Sequence, residues 1–215
     1  MNTGFSHTEI ILGTSIQHVF LYGHHGPLDM GECDRDTIIA KLLEKDSDCR
    51  VKVHAPLPKI TYASIAKNRS LCRTNMCGHY NHSWTCPPNC GSAEFCIERV
   101  NSYKDCDVIM KTFRNVDFSD SAAVDGMMDG FRDTVRETMI GCRKEGFDVI
   151  AFADGPCSYC KECAFLEGKK CCHPEMQVPS VSGYGFNMTE FLKDIGESFG
   201  FSKDTVTLYG VVLFK

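Results

Sequence analysis

The sequence predicts an α/β protein: a mixed sheet flanked by helices, with two cysteine-rich metal-binding loops. Apolar segments of strand length alternate along the chain with segments whose apolar residues recur at helical spacing. The cysteines are concentrated in two stretches, residues 72–96 and 157–172, which contain five each. The chain has 215 residues, of which 43 % are apolar and 24 % charged, so it can bury a core and has the composition of a globular protein.

The elements of the first part of the chain are short. The stretches EIILG and HVFLYG are apolar and end in glycine, which is typical of strands. A helix is predicted over residues 36–45, because Ile38, Ile39, Leu42 and Leu43 share one face. Residues 51–53 and the following Ala-Pro-Leu-Pro predict an extended linker into the first cysteine-rich loop.

The second part of the chain carries longer elements. The longest predicted helix covers residues 121–145, with Ser119 or Ser121 as its cap, Gly146 at its end, and Arg132 and Arg136 on its polar face. Its methionine stripe is typical of core packing. The pattern also predicts helices over residues 92–103 and 189–199, and strands over residues 107–113, 147–153 and 205–214.

Charge and terminal composition exclude several classes of protein. The formal net charge of −5 does not suit a nucleic-acid backbone as the main partner. No apolar run is long enough to span a bilayer, so no membrane association is predicted. The N-terminus lacks the basic-then-apolar profile of a secretory signal. We therefore expect a cytoplasmic protein, in which reducing conditions disfavour a disulfide framework.

The distribution of the cysteines indicates metal binding. Thiolates packed closely together repel one another unless a cation lies between them, and a reducing compartment leaves metal as the explanation for such clusters. Isolated cysteines are instead expected to be small buried hydrophobic residues. Four cysteines belong to that second group: Cys33, Cys49, Cys106 and Cys142.

The second cysteine-rich loop is the stronger signal. It contains Cys157-x2-Cys160-x2-Cys163, and Cys171 follows after seven residues. Three thiolates at this spacing are typical of iron–sulfur proteins, whereas zinc sites more often combine two separate C-x2-C pairs. We expect only one of the adjacent Cys171 and Cys172 to be a ligand. The loop follows the carboxyl end of a predicted strand, where α/β sheets place ligand sites.

The first cysteine-rich loop has a less specific spacing. It reads Cys72-x4-Cys77-x8-Cys86-Pro-Pro-x-Cys90, and the two prolines stiffen the chain as it leaves a ligand. The loop also contains two histidines, which we expect at the surface or behind the ligands rather than on the metal. Tyr80 and Trp84 suit either a shield around a metal centre or an ordinary core, and the sequence leaves both interpretations open.

These motifs resemble a known family. Their order is Cys72-x4-Cys77-Gly-His-Tyr, then Trp-Thr-Cys86-Pro-Pro, then Gly-Pro-Cys157-x2-Cys160-x2-Cys163, then a Cys-x-His-Pro-Glu motif that begins at Cys171. The chain resembles uncharacterised prokaryotic proteins described as predicted metal-binding, a domain of unknown function common in anaerobes. The resemblance covers residues 60–215 and predicts a metal-binding α/β domain there, and residues 1–59 form an N-terminal segment of unclear role. It implies seven ligands: Cys72, Cys77, Cys86, Cys157, Cys160, Cys163 and Cys171.

Three functions remain open at this point. With Cys90 as an eighth ligand, the chain would hold two closed 4Fe–4S clusters, one on each loop, and act in electron transfer with a redox partner protein. Without Cys90, one iron would keep an open position and the protein would be an iron–sulfur enzyme. A structural zinc protein is the third alternative. The sequence contains no P-loop and no G-x-S-x-G motif, and it leaves the oligomeric state undetermined.

Overall fold

A computed structural model describes residues 9–11, 35–44, 46, 48–200 and 202–215, with only the backbone described for residues 9–11. It confirms the α/β class. The strands are β1 (Glu9–Ile11), β2 (Cys49–Ala55), β3 (Asp105–Arg114), β4 (Val149–Ala153) and β5 (Thr205–Phe214). The α-helices are α1 (Arg35–Leu43), α2 (Tyr62–Cys72), α3 (Ala93–Asn101), α4 (Ser121–Lys144) and α5 (Met188–Asp194), and two short 3-10 helices cover Ala164–Glu167 and Pro174–Met176.

The strands form one sheet in the order β1-β2-β3-β5-β4. All four ladders between these strands are antiparallel. Because β5 lies between β3 and β4, those two strands run parallel to each other, and α4 connects them as in a split β-α-β unit. The sequence predicted a mixed sheet, and parallel pairing among the described residues is limited to a bridge between Ala153 and Ser180. The insertion of β5 prevents a longer parallel ladder.

Each face of the sheet is covered by helices. Helices α1 and α4 pack on one face, and α2, α3 and α5 pack on the other. Side chains of β5 alternate between the two cores: Val212 faces α1 and α4, whereas Tyr209 and Val211 face the opposite layer. Helix α4 lies so close to the sheet that a Cβ atom on Gly210 would be 2.4 Å from Val135 Cγ2.

Most of the predicted elements are present, with three differences. Residues 49–55 form strand β2 rather than a linker. Every second side chain from Cys49 to Ala55 is buried, which is the burial pattern of a β-strand with one face on the core. Helix α2 was not predicted. Asp120, rather than a serine, caps α4 by accepting a 3.0 Å hydrogen bond from the Ala123 amide. The strand predicted at HVFLYG lies outside the described residues.

Strands β1 and β2 join the same sheet as β3, so the sheet includes residues on both sides of position 59. The division into residues 1–59 and 60–215 stays a prediction. Within the described residues, no helix combines the length and the apolar character needed to cross a membrane.

Candidate metal centre

The second cysteine-rich loop is pinned where it leaves the sheet. Strand β4 ends at Ala153, whose amide donates to the Pro179 carbonyl at 3.2 Å and whose carbonyl accepts from the Val181 amide at 3.1 Å. The segment from 154 to 178 is therefore a loop with both ends fixed at one point. Five thiols of this loop line one small cavity of about 30 Å³: Cys157, Cys160, Cys163, Cys171 and Cys172. The structure thus brings together the cysteines that the sequence predicted at this site.

Two buried arginines of α4 hold this loop against the helix. Arg132 donates to the Asp154 carbonyl from Nε at 3.1 Å and Nη2 at 2.6 Å, and Nη1 donates to Ser158 Oγ at 3.0 Å. Arg136 donates from Nε to the Met176 carbonyl at 2.9 Å, and its guanidinium lies over the Tyr159 ring. Their predicted place on the polar face of the helix was wrong, because Arg132 and Arg136 are only 2 % and 3 % exposed.

Gly155 allows this close approach. Its φ of +79° lies in the left-handed region, which side chains rarely adopt. A Cβ atom at this position would lie 2.2 Å from Arg132 Nη2. Glycine at the start of the loop is therefore required both by the backbone turn and by the arginine behind it.

The first cysteine-rich loop begins where α2 ends, at Cys72. Cys72, Cys77 and Cys86 line a second and larger cavity of about 480 Å³. Two turns fix the chain around Cys86, whose carbonyl accepts from the amides of Asn89 at 3.0 Å and Cys90 at 3.1 Å. These three thiols therefore share one cavity, separate from the cavity of the second loop.

The two loops are in direct contact. The amide of Cys157 donates to Thr85 Oγ1 at 2.9 Å, so the residue before Cys86 is hydrogen bonded to the first cysteine of the second loop. Trp84 Nε1 donates to the Lys169 carbonyl at 3.1 Å, and its ring packs edge-on against Phe165 at 5.1 Å between centroids. Trp84 therefore lies between the loops rather than in the core of the sheet.

Cys72, Cys86 and Cys160 resist ionisation without a cation. Burial raises the pKa of Cys86 to about 11, and negative charge on neighbouring cysteines contributes to the increase. Burial, with the charges of Cys77 and Cys90, also raises the pKa of Cys72. The pKa of Cys160 is raised by desolvation first and then by the four other cysteines of its loop. Metal binding would replace the protons, since thiolates are the form that binds metal.

Cys90 lies beside the first set of thiols but opens onto a different cleft, which Trp84 and Arg99 also line. Its Sγ is 3.6 Å from the Gly183 carbonyl and 3.4 Å from Arg69 Nη2. Hydrogen bonding with Cys96, together with burial, raises the pKa of Cys90. The same hydrogen bond and the Arg69 guanidinium lower the pKa of Cys96, despite its burial. Cys90 is thus paired with Cys96, a partner that the sequence analysis did not identify.

The remaining candidates are placed as follows. His79 lines the larger cavity, whereas His82 is exposed and its Nδ1 lies 2.7 Å from the Tyr80 carbonyl. The predicted burial of isolated cysteines is confirmed for Cys49, Cys106 and Cys142, all 0 % exposed, and Cys33 lies outside the described residues. None of the thirteen cysteines in the described residues forms a disulfide.

The donor chemistry fits a metal centre, since clustered thiolates select zinc, copper(I) or iron–sulfur clusters. Within the described part of the chain, no three His, Cys, Asp or Glu side chains converge tightly enough to chelate a single ion. The thiols instead surround their cavities. Fold and thiols together define a cysteine-rich α/β metal-binding protein.

The chain belongs to the family described as Predicted metal-binding protein (DUF2284), which matches residues 60–214. This confirms the family resemblance and the metal-binding role. No curated protein and no solved structure matches the chain.

Proposed function

We propose that this protein is an iron–sulfur protein that carries one or two 4Fe–4S clusters and acts in electron transfer or as a redox partner. The observation that carries the proposal is the arrangement of the second loop. Cys157, Cys160, Cys163 and Cys171, three of them at x2 spacing, line one cavity. Such clusters are held by four cysteine thiolates, and they supply a one-electron redox centre when bound.

The sequence spacing of the thiols favours a cluster over zinc. Three thiolates in one C-x2-C-x2-C run, as in the second loop, are typical of iron–sulfur proteins, in which each thiolate binds a different iron atom. Zinc sites more often combine two separate C-x2-C pairs from distant segments.

The contact between the loops supports electron transfer. A hydrogen bond between Thr85 and the Cys157 amide, with Trp84 packed alongside, makes the two cysteine sets near neighbours. Adjacent redox centres pass electrons without large movements of the protein. The chain has a formal charge of −5, and each cluster adds about −2 with its thiolates. A redox partner in the cytoplasm would then present a basic surface, and its association would weaken with salt.

The first experiment is metal and sulfide analysis of the full chain purified without oxygen. We expect about four or eight irons per chain with equal acid-labile sulfide, and a visible absorption that bleaches reversibly with dithionite. Zinc without sulfide would contradict the iron–sulfur assignment.

Matched cysteine variants then locate the second site. Cys157→Ser, Cys160→Ser and Cys163→Ser should each remove about four irons and lower the melting temperature, because metal-binding free energy contributes to folding. Cys142→Ala is the control, since Cys142 lies on the buried face of α4 and lines neither cavity. Unchanged iron in the three serine variants, or iron loss in the control, would show that the ligands lie elsewhere.

One observation favours a second candidate, an iron–sulfur enzyme with an open iron. Cys90 pairs with Cys96 and Arg69, while Cys72, Cys77 and Cys86 face another cavity. Three thiolates would leave one position for a substrate or water, as in open zinc sites. Comparison of Cys90→Ser with Cys86→Ser separates the candidates. Loss of iron in both variants indicates a closed first site, and loss only in Cys86→Ser indicates an open one.

A further inference from the structure

The cavity beside the first cysteine-rich loop has the size and lining of a small-molecule site. Its volume of about 480 Å³ lies within the range of ligand pockets. We call it the chamber, and we infer that it binds a small organic molecule with an apolar body and one protonated amine. Cys72, Cys77 and Cys86 lie on one side. The apolar side is supplied by the chain before α4, the start of α4 and the start of β5: Phe118, Val124, Met127, Met128, Val206 and Leu208.

The apolar stripe of α4 extends beyond the core that it helps to form. From Phe131 onwards the stripe is buried against the sheet, with Val135 and Met139 both 0 % exposed. The first part of the same stripe, at Val124, Met127 and Met128, is only half-buried and lines the chamber, although Met127 and Met128 also pack against the core. Methionines are adaptable apolar surfaces that fit ligands of irregular shape. The sequence pattern predicted core packing for the methionine stripe, and Met127 and Met128 do pack against the core while also lining the chamber.

The charge of the lining determines the class of ligand. Asp154 lies at the chamber, and no lysine or arginine of the described residues lines it. Burial raises the pKa of the Asp154 carboxyl and the charge of Arg132 acts to lower it, but the hydrogen bonds of Arg132 go to the main-chain carbonyl of Asp154, to Ser158 and to Asp129. Within the described part of the chain, no side chain donates a hydrogen bond to the Asp154 carboxylate. A ligand ammonium would supply that donor, whereas a ligand carboxylate would face like charge.

The link between this ligand and a metal rests on the proposed function. A metal centre on Cys72, Cys77 and Cys86 would occupy the cysteine side of the chamber, so an amine bound on the apolar side would lie beside it. The ligand class itself depends only on the lining residues, and this allows the two proposals to fail separately.

Three probes of nearly equal size and different charge test the inference: benzylamine, benzyl alcohol and benzoate. Each is titrated calorimetrically into the full chain purified without oxygen with its metal. We expect benzylamine to bind most tightly and benzoate at least about tenfold more weakly. Asp154→Asn keeps the side-chain volume and should reduce benzylamine affinity by about tenfold, to that of benzyl alcohol. Benzoate binding as tightly as benzylamine, or an Asp154→Asn variant with unchanged preference, would overturn the inference.

A filling variant locates the binding site. Val124→Trp should weaken all three probes by about tenfold or more, because it occupies the apolar side of the chamber. Ala122→Trp adds the same ring at an exposed position of the same helix and should leave the affinities unchanged. Met127→Phe replaces Val124→Trp if circular dichroism shows that the latter is unfolded. Equal affinities in the filling variant and the control would place the probes elsewhere and overturn the inference.

Iron and sulfide are measured in the same preparations. Asp154-dependent benzylamine binding to a protein that contains zinc and no sulfide would uphold the chamber while the iron–sulfur proposal fails. Absence of probe binding to a folded protein with its full complement of iron and sulfide would overturn the chamber and leave the iron–sulfur proposal intact.

Discussion

The buried carboxylate of Asp107, on strand β3, illustrates how a single residue affects stability. Asp107 is 0 % exposed, and its Oδ1 accepts hydrogen bonds from Arg35 Nη2 and the His54 amide, both at 2.9 Å. Burial raises the pKa of Asp107 to about 6, and the attraction of Arg35 only partly offsets this effect. The cost of removing the charge from water therefore exceeds the gain from the ion pair.

The raised pKa gives a pH dependence with a definite sign. Between the ordinary value of 3.8 and about 6, the folded state holds a proton that the unfolded state releases. This group's contribution to the free energy of unfolding is thus largest below pH 4, decreases as pH rises to about 6, and is flat above that. The total change corresponds to about 3 kcal/mol at most.

Asp107→Asn should remove this dependence, since asparagine does not ionise. The free energy of unfolding of the variant minus that of the unmodified chain should therefore be larger at pH 7 than at pH 4.5. Urea unfolding of both proteins at the two pH values, in the same metal state, measures the difference, and effects of other groups cancel in it. A pH-independent difference would contradict the prediction.

The sequence could predict the cysteines that gather around each cavity but not the residues that support them. Regular spacing brought Cys157, Cys160 and Cys163 into one loop, because x2 spacing wraps a short chain around one centre. The pairing of Cys90 with Cys96 was not predictable, since it depends on Arg69, which reaches them from a helix more than twenty residues earlier. Cysteine spacing along the sequence indicates local geometry, but it does not indicate which distant residues come together in the fold.

At the scale of elements, α4 joins the sheet to the second cysteine-rich loop. Its buried Arg132 and Arg136 donate hydrogen bonds to the carbonyls of Asp154 and Met176. Both carbonyls belong to the loop after β4, where no neighbouring strand within the described residues supplies a donor. The loop itself contains only short 3-10 helices, so its shape depends on such contacts. Arg132 and Arg136 were predicted on the polar face of α4 because the local sequence pattern does not show that a distant loop covers them.

Arg132→Met tests this support. The variant keeps an apolar stem but removes three hydrogen bonds to the loop, leaving the half-buried Asp154 without its side-chain donor to the carbonyl. We expect a loss of about 2–4 kcal/mol in the free energy of unfolding and weaker metal retention at the second loop. Lys144→Met, at the exposed end of the same helix, is the control and should change stability by less than about 0.5 kcal/mol. Equal effects of the two substitutions would exclude a supporting role for Arg132.

The elements that escaped prediction did so for physical reasons. Helix α2 buries only Ile65 fully, so no apolar stripe marks it. Its start is instead defined by a capping box in which Thr61 and Ser64 exchange side-chain and backbone hydrogen bonds. Strand β5 was predicted at its observed bounds, but its position between β3 and β4 depends on sheet pairing that local patterns do not encode.

For the whole molecule, the two cysteine-rich loops bring distant parts of the chain to one place. Residues of the first loop precede β3, and those of the second follow β4. They meet through Thr85 and the Cys157 amide, while Ser180 donates to the Thr85 carbonyl at 3.3 Å. The sheet below has its own two cores, which contain none of the proposed ligands apart from Cys90. Metal binding should therefore stabilise the loops more than the sheet.

Metal removal tests this division of stability. In chelator-treated chain kept reduced, we expect backbone amides of residues 73–91 and 154–178 to lose protection from hydrogen exchange, because few regular hydrogen bonds hold these loops. Amides of β3 and β5, paired along ten residues each, should remain protected. Exchange measured by mass spectrometry on the metal-bound and metal-free chain gives both values. Loss of protection spread evenly over the sheet would show instead that the metal holds the whole fold together, as it does in zinc fingers. Retained protection in both loops would mean that the loops' hydrogen bonds to the rest of the protein suffice without metal.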